Sequence, residues 1–172
     1  MDERIDERQA RFEALLAEHR GIVLKVAYTY SRPGVERDDL AQDICAELWR
    51  SFPRYDTARA FSTWMYRVAL NVAISQSRRA DARRLPTAPI DGEEAVQVPA
   101  PADPEPDERI AELDRVIARL DPLDRALALL YLEERSYQEI ADVLGLTKTN
   151  VATKIHRLKL RIRTDLTVAR TD

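Results

Sequence analysis

A proline-rich segment from Pro86 to Pro106 constrains the fold of this chain more than any other feature of the sequence. It contains six of the nine prolines, five acidic residues, and no basic or aromatic residue. Proline fixes φ and has no N–H to donate, so neither a helix nor a central strand can run through the segment. We therefore predict an extended, flexible linker over residues 86–106 between two folded domains, residues 8–85 and residues 107–170.

Three amphipathic helices are predicted in the N-terminal domain, because apolar residues recur there at intervals of three and four. The first helix ends at the breaker Pro33-Gly34. The second begins near Glu36 and ends before Pro53, and the third begins at Phe61 after a loop. The residues expected to face the core are Phe12, Leu15, Leu16, Val23, Val26, Ala27 and Tyr30, then Leu40, Ile44, Leu48 and Phe52, then Phe61, Trp64, Met65, Val68 and Val72.

Four shorter helices are predicted in the C-terminal domain, where the signals for helix ends are stronger. Pro122 stands in a first turn, Ser136 and Glu139 have the form of a capping box, Gly145 follows a helix end, and Thr147 caps the last helix. The sequence shows no strand pattern, so we predict an all-α chain of two small helical domains. The residues expected to be buried are Ile110, Leu113, Ile117, Leu120, Ala126, Leu127, Leu130, Tyr131, Val151, Ile155, Leu158 and Ile162.

The composition argues against an enzyme, a metalloprotein and a membrane protein. The chain has one cysteine, two distant histidines and four glycines, and the common phosphate-loop and nucleophile motifs are absent. We expect no catalytic site, no cofactor and no metal, and we interpret Cys45 as a small packing residue. No apolar run approaches the roughly 18 residues that span a bilayer, so we expect no membrane insertion.

The net charge of −3 conceals two basic blocks. Residues 54–84 and residues 145–172 each carry five more basic than acidic residues, and the acidic linker lies between them. Such blocks suit two contacts with one polyanion such as DNA. They are equally compatible with solvated helix faces, so charge alone leaves both interpretations open.

A helix-turn-helix is predicted near the C-terminus. Ala141 would let two helices cross closely, Gly145 would make the turn, and Val151 would fix the second helix in the core. That second helix offers side chains suited to phosphates and to base edges in a major groove. The alternative is a plain helical hairpin with a basic solvent face. The candidate contact residues for DNA are Lys148, Thr149, Asn150, Thr153, Lys154 and Arg157.

A second polar stripe lies on the third N-terminal helix. Arg67, Asn71, Ser75 and Arg78 are spaced four, four and three residues apart, which places them on one helix face. The stripe is polar and partly basic, and it is separate from the apolar face of the same helix. It could face nucleic acid.

Three segments together resemble the sigma-70 family, specifically its extracytoplasmic-function (ECF) group of bacterial RNA polymerase sigma factors. DDLAQDICAELWRSFPRYD is similar to the family's region 2.2, and FSTWMYRVALNVAISQSRR to its regions 2.3 and 2.4. YQEIADVLGLTKTNVATKIHRLKLRIR is similar to region 4. The resemblance implies a cytoplasmic promoter-specificity subunit that binds polymerase core and recognises −35 duplex and opened −10 DNA.

The resemblance also implies roles for particular residues. One helix would dock on the clamp of the polymerase β′ subunit through Asp39, Asp43, Glu47 and Arg50. The opened −10 strand would be held by Asp56, Phe61, Arg67, Asn71, Ser75 and Arg78, although the Phe61 ring could instead belong to the core. The recognition helix would contact −35 duplex through the six residues named for the helix-turn-helix. Further partners implied are the polymerase β flap and an anti-sigma factor.

Two other classes of protein remain open. A helix-turn-helix alone is compatible with a repressor or activator that works without polymerase core, usually as a dimer on a palindrome. The region 2-like segment argues against this class. An adaptor or sigma-sequestering protein would not need the two basic blocks. Association with polymerase core separates the three possibilities.

Overall fold

The protein is seen here as a computed structural model, which describes residues 2–32, 35–83 and 108–169. Within these ranges the secondary structure is helical and contains no strand, which confirms the all-α prediction; the predicted linker at 86–106 lies outside them. The seven helices are α1 (Asp2–Tyr30), α2 (Arg37–Ser51), α3 (Phe61–Arg83), α4 (Glu108–Ala118), α5 (Pro122–Leu132), α6 (Tyr137–Leu144) and α7 (Lys148–Ala169). A 3-10 turn, Phe52–Arg54, follows α2.

Helices α1, α2 and α3 form a bundle whose core is made by whole apolar stripes. Leu40, Ile44 and Leu48, each one turn after the last, are fully buried, and Val26 and Met65 approach them from the other two helices. Helix propensity contributes little here, since burial of an amphipathic face provides most of the stability of a helix in a folded protein. The predicted core stripes of α1 and α2 are confirmed, although Leu15 and Leu16 of α1 are only partly buried against the core.

An aromatic cluster closes the end of this bundle that carries the α2–α3 connection. Phe12 packs against Phe52 with ring centroids 5.1 Å apart, and Phe61 packs against Tyr55 at 5.3 Å and against Trp64 at 5.2 Å. Such edge and tilted ring contacts add specificity to the area that the rings bury. The cluster therefore fixes the loop before α3 and the start of α3 itself.

Three of the C-terminal helices, α4, α5 and α6, have eight to eleven residues, and local hydrogen bonds define the start of α5 and of α6. The Asp121 carboxylate caps α5 by accepting from the backbone N–H groups of Leu123 and Asp124, both at 3.0 Å. Arg125 donates to the carbonyl oxygens of Ala118 and Leu120, at 2.6 and 3.1 Å, and so ties the end of α4 to α5. The sequence predicted that Ile110 and Tyr131 would be buried, and this is wrong: they are 54% and 37% exposed.

The two halves of the chain pack directly on each other. Helices α5 and α6 lie against α3, α5 also contacts α1, and the buried residues of both halves form one continuous apolar cluster. The sequence predicted two small helical domains joined by a linker, and no sequence pattern indicated a contact between them. Their mutual packing is a property of the tertiary structure.

Candidate nucleic-acid and protein interfaces

The helix-turn-helix begins with the predicted capping box. The Ser136 hydroxyl accepts from the backbone N–H of Glu139 at 3.2 Å, and the Glu139 carboxylate accepts from the backbone N–H of Ser136 at 2.8 Å. The hydrogen bond from the Ser136 backbone N–H to the Glu139 carboxylate, followed by the contribution of the Ser136 hydroxyl, lowers the pKa of Glu139 because it favours the charged form. The box fixes the start of α6, the helix that supports the recognition helix.

The turn after α6 has the geometry that its glycine predicts. Gly145 has φ +67°, in the left-handed region, and the N–H of Leu146 donates to the carbonyl of Ala141 at 3.0 Å. This is the reach-back that ends a helix in a Schellman turn. Val151 is fully buried at the start of α7, so the second helix is held in the core as predicted.

The first turns of α7 present the predicted DNA-contact residues to solvent. Thr147 caps the helix by accepting from the N–H of Asn150 at 3.2 Å. Lys154 is half-buried. Burial raises the pKa of the Asp124 carboxyl group, and the positive charge of Lys154 partly opposes this rise. The exposed residues of the predicted set are Lys148, Thr149, Asn150, Thr153 and Arg157.

The polar stripe on α3 is also open to solvent. Arg67, Asn71, Ser75 and Arg78 are all exposed, at the predicted spacing. The half-buried Trp64 lies three residues before Arg67 and therefore continues the same stripe into the aromatic cluster. The sequence placed Trp64 in the core because it follows the apolar spacing of Phe61; the signal that it also begins the stripe was its distance of three from Arg67.

Two of the predicted −10 residues, Asp56 in the loop before α3 and Phe61 at the start of α3, differ in their exposure to solvent. Asp56 is exposed, and its carboxylate accepts from the N–H of Ala58 at 2.9 Å, which is an Asx turn that shapes the loop. Phe61 is only 7% exposed and is enclosed by the aromatic cluster. Its ring is closed off from solvent in this arrangement, which favours the core alternative that the sequence left open for Phe61.

The predicted polymerase-contact residues lie on the outer side of α2. Asp39, Asp43 and Arg50 are exposed, and Glu47 is half-buried and paired with Arg50. The Gln76 side chain of α3 donates to the Asp43 carboxylate. The apolar side of α2 is buried in the bundle, so the four residues form a charged surface that is available for a partner.

An apolar groove opens in the C-terminal half, and no sequence pattern indicated it. It has a volume of about 460 Å³ and lies between α4, α5 and α7. Lys159 lies 4.2 Å from the ring centroid of the exposed Tyr131 at its edge. Helix positions advance by about 100° per residue, so the groove lies on the opposite side of α7 from Asn150 and Thr153. Its apolar lining includes Leu113, Ile117, Leu132, Leu158, Ile162 and Leu166.

The described part of the chain contains no cluster of three or more His, Cys, Asp or Glu side chains that could hold a metal ion. None of its described helices is both long and apolar enough to cross a bilayer. Its candidate surfaces are therefore the polar faces of α2, α3 and α7 and the apolar groove.

An all-helical chain with exposed polar faces on α3 and α7 and a helix-turn-helix at α6 and α7 has the features of a helical nucleic-acid-binding protein. Comparison with protein-family models specifies the class: Sigma-70 region 2 matches residues 15–83, and Sigma-70, region 4 matches residues 110–162. The chain belongs to the sigma-70 family, in its ECF group.

Curated relatives and solved structures agree with this assignment. The chain is 30% identical to the ECF RNA polymerase sigma factor SigE of Mycolicibacterium smegmatis over 88% of its own length, but it spans only 60% of the length of that relative. It is 26% identical to SigW of Bacillus subtilis, covering 76% of this chain and 75% of SigW.

Two solved structures share the fold. CnrH, in complex with the cytosolic domain of CnrY, superposes with a TM-score of 0.66 at 24% identity, covering 93% of this chain and 90% of CnrH. The sigma factor RpoE of Bartonella quintana, in complex with the anti-sigma factor NepR, superposes with a TM-score of 0.64 at 18% identity, covering 98% and 99%.

Proposed function

We propose that this chain is a promoter-specificity subunit that binds RNA polymerase core in the cytoplasm and directs transcription initiation without catalysis of its own. The observation that supports this most is the presence of two exposed polar surfaces, on α3 and α7, within the segments that match regions 2 and 4. One chain can then address two elements of one promoter. The relatives named as sigma factors support the same role.

We assign −35 recognition to the start of α7. The N-terminal turns of a recognition helix are the part that meets base edges, and Thr149, Asn150 and Thr153 lie there. Thr153 donates its hydroxyl to the Thr149 carbonyl at 3.1 Å, so the Thr153 methyl group would be the part that meets a base. The Asn150 side chain is exposed and could reach a base edge. Lys148 is a point charge that suits phosphate, and Arg157 has a planar fork that suits guanine. Lys154, half-buried near Asp124, would contact a phosphate at the edge of the DNA-binding surface.

The −10 strand is assigned to the α3 stripe and the loop before it. Arg67 and Arg78 would neutralise phosphates, and Asn71 and Ser75 would offer hydrogen bonds between them. Recognition of an opened strand also needs an aromatic surface on which a base can stack. Trp64 supplies that surface at the start of the stripe, in place of the buried Phe61. Asp56 shapes the loop that leads to it.

Two protein contacts complete the assignment. The charged surface of α2, with Asp39, Asp43, Glu47 and Arg50, would dock on the β′ clamp. The apolar groove between α4, α5 and α7 would take the polymerase β flap, because it is apolar and lies away from the DNA-facing side of α7. Both structural neighbours were captured with a partner, CnrY or the anti-sigma factor NepR, which supports an anti-sigma factor for this chain as well.

Association with polymerase core tests this function against a helix-turn-helix regulator that works alone. We expect the purified chain to co-elute with core enzyme. The charge reversal Asp39→Lys should weaken that association by about tenfold, or about 1.4 kcal/mol. The matched control is Glu18→Lys on the exposed side of α1. A chain that ignores core enzyme and binds a palindromic duplex as a homodimer would contradict the proposal.

A library of −35 variants tests the division of labour on α7. Lys148→Ala should weaken holoenzyme binding equally for all −35 sequences and lower the salt dependence by about one phosphate contact. Asn150→Ala or Arg157→Ala should instead change which bases are accepted, by about 1–3 kcal/mol at the contacted position. Arg119→Ala removes a charge from the same half but not from α7, and it serves as the control. Unchanged base preference in both Asn150→Ala and Arg157→Ala would remove the readout assignment.

A further inference from the structure

The side of α7 that carries Asn150 and Arg157 continues beyond the predicted DNA-contact residues. Positions along a helix advance by about 100° each, so residues spaced four, three and four apart lie within about 60° of one another. Three basic side chains therefore follow Asn150 along one stripe, namely Lys154, Arg157 and Arg161. Arg157 and Arg161 are exposed, and Lys154 is half-buried. Arg161 was not among the predicted contact residues, but its spacing from Lys154 and Arg157 places it beside them.

One carboxylate of α5 acts on two of these three basic side chains. The Arg161 Nη1 atom lies 3.8 Å from Asp124 Oδ2, and the Asp124 side chain is 26% exposed. Burial, followed by the charge of Asp121, raises the pKa of the Asp124 carboxyl group, and the charges of Lys154 and Arg161 oppose this rise. Asp124 therefore attracts both cations from the side of α7 that packs on α5.

The position of Asp124 in its own helix offers a structural reason for a carboxylate there. Asp124 stands in the first turn of α5, where a negative charge is favourable. The cap of that helix is provided by Asp121, whose carboxylate accepts from the N–H groups of Leu123 and Asp124. The neighbouring charge of Asp121 repels a second carboxylate, so the first turn alone gives Asp124 little advantage. A structural role and a role toward α7 also predict opposite effects on DNA binding.

We propose that Asp124 is a positioning residue that limits the affinity of α7 for DNA of any sequence, because it holds Lys154 and Arg161 in competition with DNA phosphates. The inference rests on the proposed DNA-binding role of α7. Phosphate contacts raise affinity for every sequence, whereas base contacts distinguish sequences. With two of its basic side chains held by Asp124, the stripe leaves Arg157 to address a base. Base contacts then supply a larger share of the binding free energy.

The test measures how DNA binding by the full chain depends on salt, with a fluorescently labelled duplex of random sequence as the probe. Asp124→Asn should bind about threefold to fivefold more tightly than the wild type at about 50 mM salt, the range expected when a partly exposed ion pair is released. The plot of log affinity against log salt concentration should steepen by about one phosphate contact. Asp124→Ser, a second neutral variant with a residue suited to a first turn, should show the same change.

Three controls separate this effect from altered net charge and from altered folding. Asp124→Glu keeps the charge and should keep the salt dependence of the wild type. Glu134→Gln makes the same change in net charge beyond the other end of α5 and should leave DNA binding unchanged. In a chain that carries Lys154→Ala and Arg161→Ala, the change Asp124→Asn should no longer tighten binding. All variants should keep the helical circular dichroism of the wild type.

Two results would overturn the role of Asp124. One is an unchanged or shallower salt dependence in both neutral variants, since a purely structural role predicts weaker binding when the first turn of α5 loses its charge. The other is a gain in affinity that persists after Lys154 and Arg161 are both replaced by alanine, because the gain would then come from elsewhere.

Holoenzyme on a library of −35 variants separates this role from the proposed function. Asp124→Asn should tighten binding to all −35 sequences by a similar factor and leave the preferred bases unchanged. If the chain ignores polymerase core and promoters, yet Asp124→Asn still tightens its binding to the random duplex, the proposed function fails and the role of Asp124 stands. If holoenzyme is promoter-specific and the neutral variants leave its salt dependence unchanged, the role of Asp124 fails and the proposed function stands.

Discussion

The N-terminal half buries long apolar stripes between helices, whereas the C-terminal half defines its helices by hydrogen bonds at their ends. Helix α2 begins after Glu36, whose side chain does not cap it, yet Leu40, Ile44 and Leu48 are fully buried. Helix α6 has only eight residues but carries a complete capping box. A short helix cannot bury enough surface to fix its own ends, so local hydrogen bonds do so.

This difference matters for the two surfaces that we propose to face DNA. The α3 stripe is displayed by a 23-residue helix that is held along most of its length by the bundle. The candidate contact residues of α7 lie mainly in its first turns. The position of those turns depends on the turn at Gly145 and the cap at Thr147. Changes to the core should therefore affect the N-terminal half most, and changes to caps should affect the recognition helix most.

The largest expected effect comes from truncation of the α2 stripe. Ile44→Ala should lower the free energy of unfolding by about 2–5 kcal/mol, because it leaves a cavity where a fully buried side chain stood. Amide hydrogen exchange should show the loss first in α1, α2 and α3. A cost below that of removing one helix cap would break the comparison between the halves.

A glycine pair sharpens the comparison. Gly145→Ala should cost about 1–2 kcal/mol, because φ +67° strains any residue with a Cβ. Gly21 lies inside α1, and Gly21→Ala should stabilise the chain by about 0.5–1 kcal/mol. An added Cβ would meet no described atom within 4 Å at either position, so space does not explain the difference. Thermal unfolding of both variants measures it, and equal signs would contradict the argument.

Loss of the α6 cap is expected to lower the free energy of unfolding by less than Ile44→Ala or Gly145→Ala does. Ser136→Ala should lower stability by about 1 kcal/mol, since the N–H of Glu139 loses its acceptor. Amide exchange should quicken in α6 and at the start of α7, with α2 unaffected. Equal protection loss in α2 would mean that the halves do not differ as described.

The smallest effect is the pH dependence of the same cap. The folded state lowers the pKa of Glu139, so its contribution to stability is present at neutral pH. It is lost as the pH falls below the ordinary glutamate value of about 4.3 and through the folded pKa. Glu139→Gln should therefore differ from the wild type at pH 7 and converge with it in acid. A difference that grows on acidification would reverse the assignment.

Sequence reasoning was most successful where a signal is local. Ser136 and Glu139 predicted their own hydrogen bonds, and Gly145 predicted its left-handed turn, because each depends on residues within one or two turns. It was least successful for side chains whose surroundings come from distant helices. Phe61 and Tyr131 follow the same apolar spacing, but one is enclosed by aromatic rings and the other borders an open groove.

By itself the sequence determined the helices, most of their ends, and the helix-turn-helix, and it predicted the exposure of five of the six candidate DNA-contact residues on α7. These follow from periodicity and capping, which act over a few residues. Only the tertiary structure decided that Tyr30 and Tyr66 would be covered by arginines of the other half, that Trp64 would border the polar stripe, and that a groove would open beside Tyr131. Those outcomes depend on how whole helices pack, and contacts between residues some 70 to 110 positions apart leave no periodic trace along the chain.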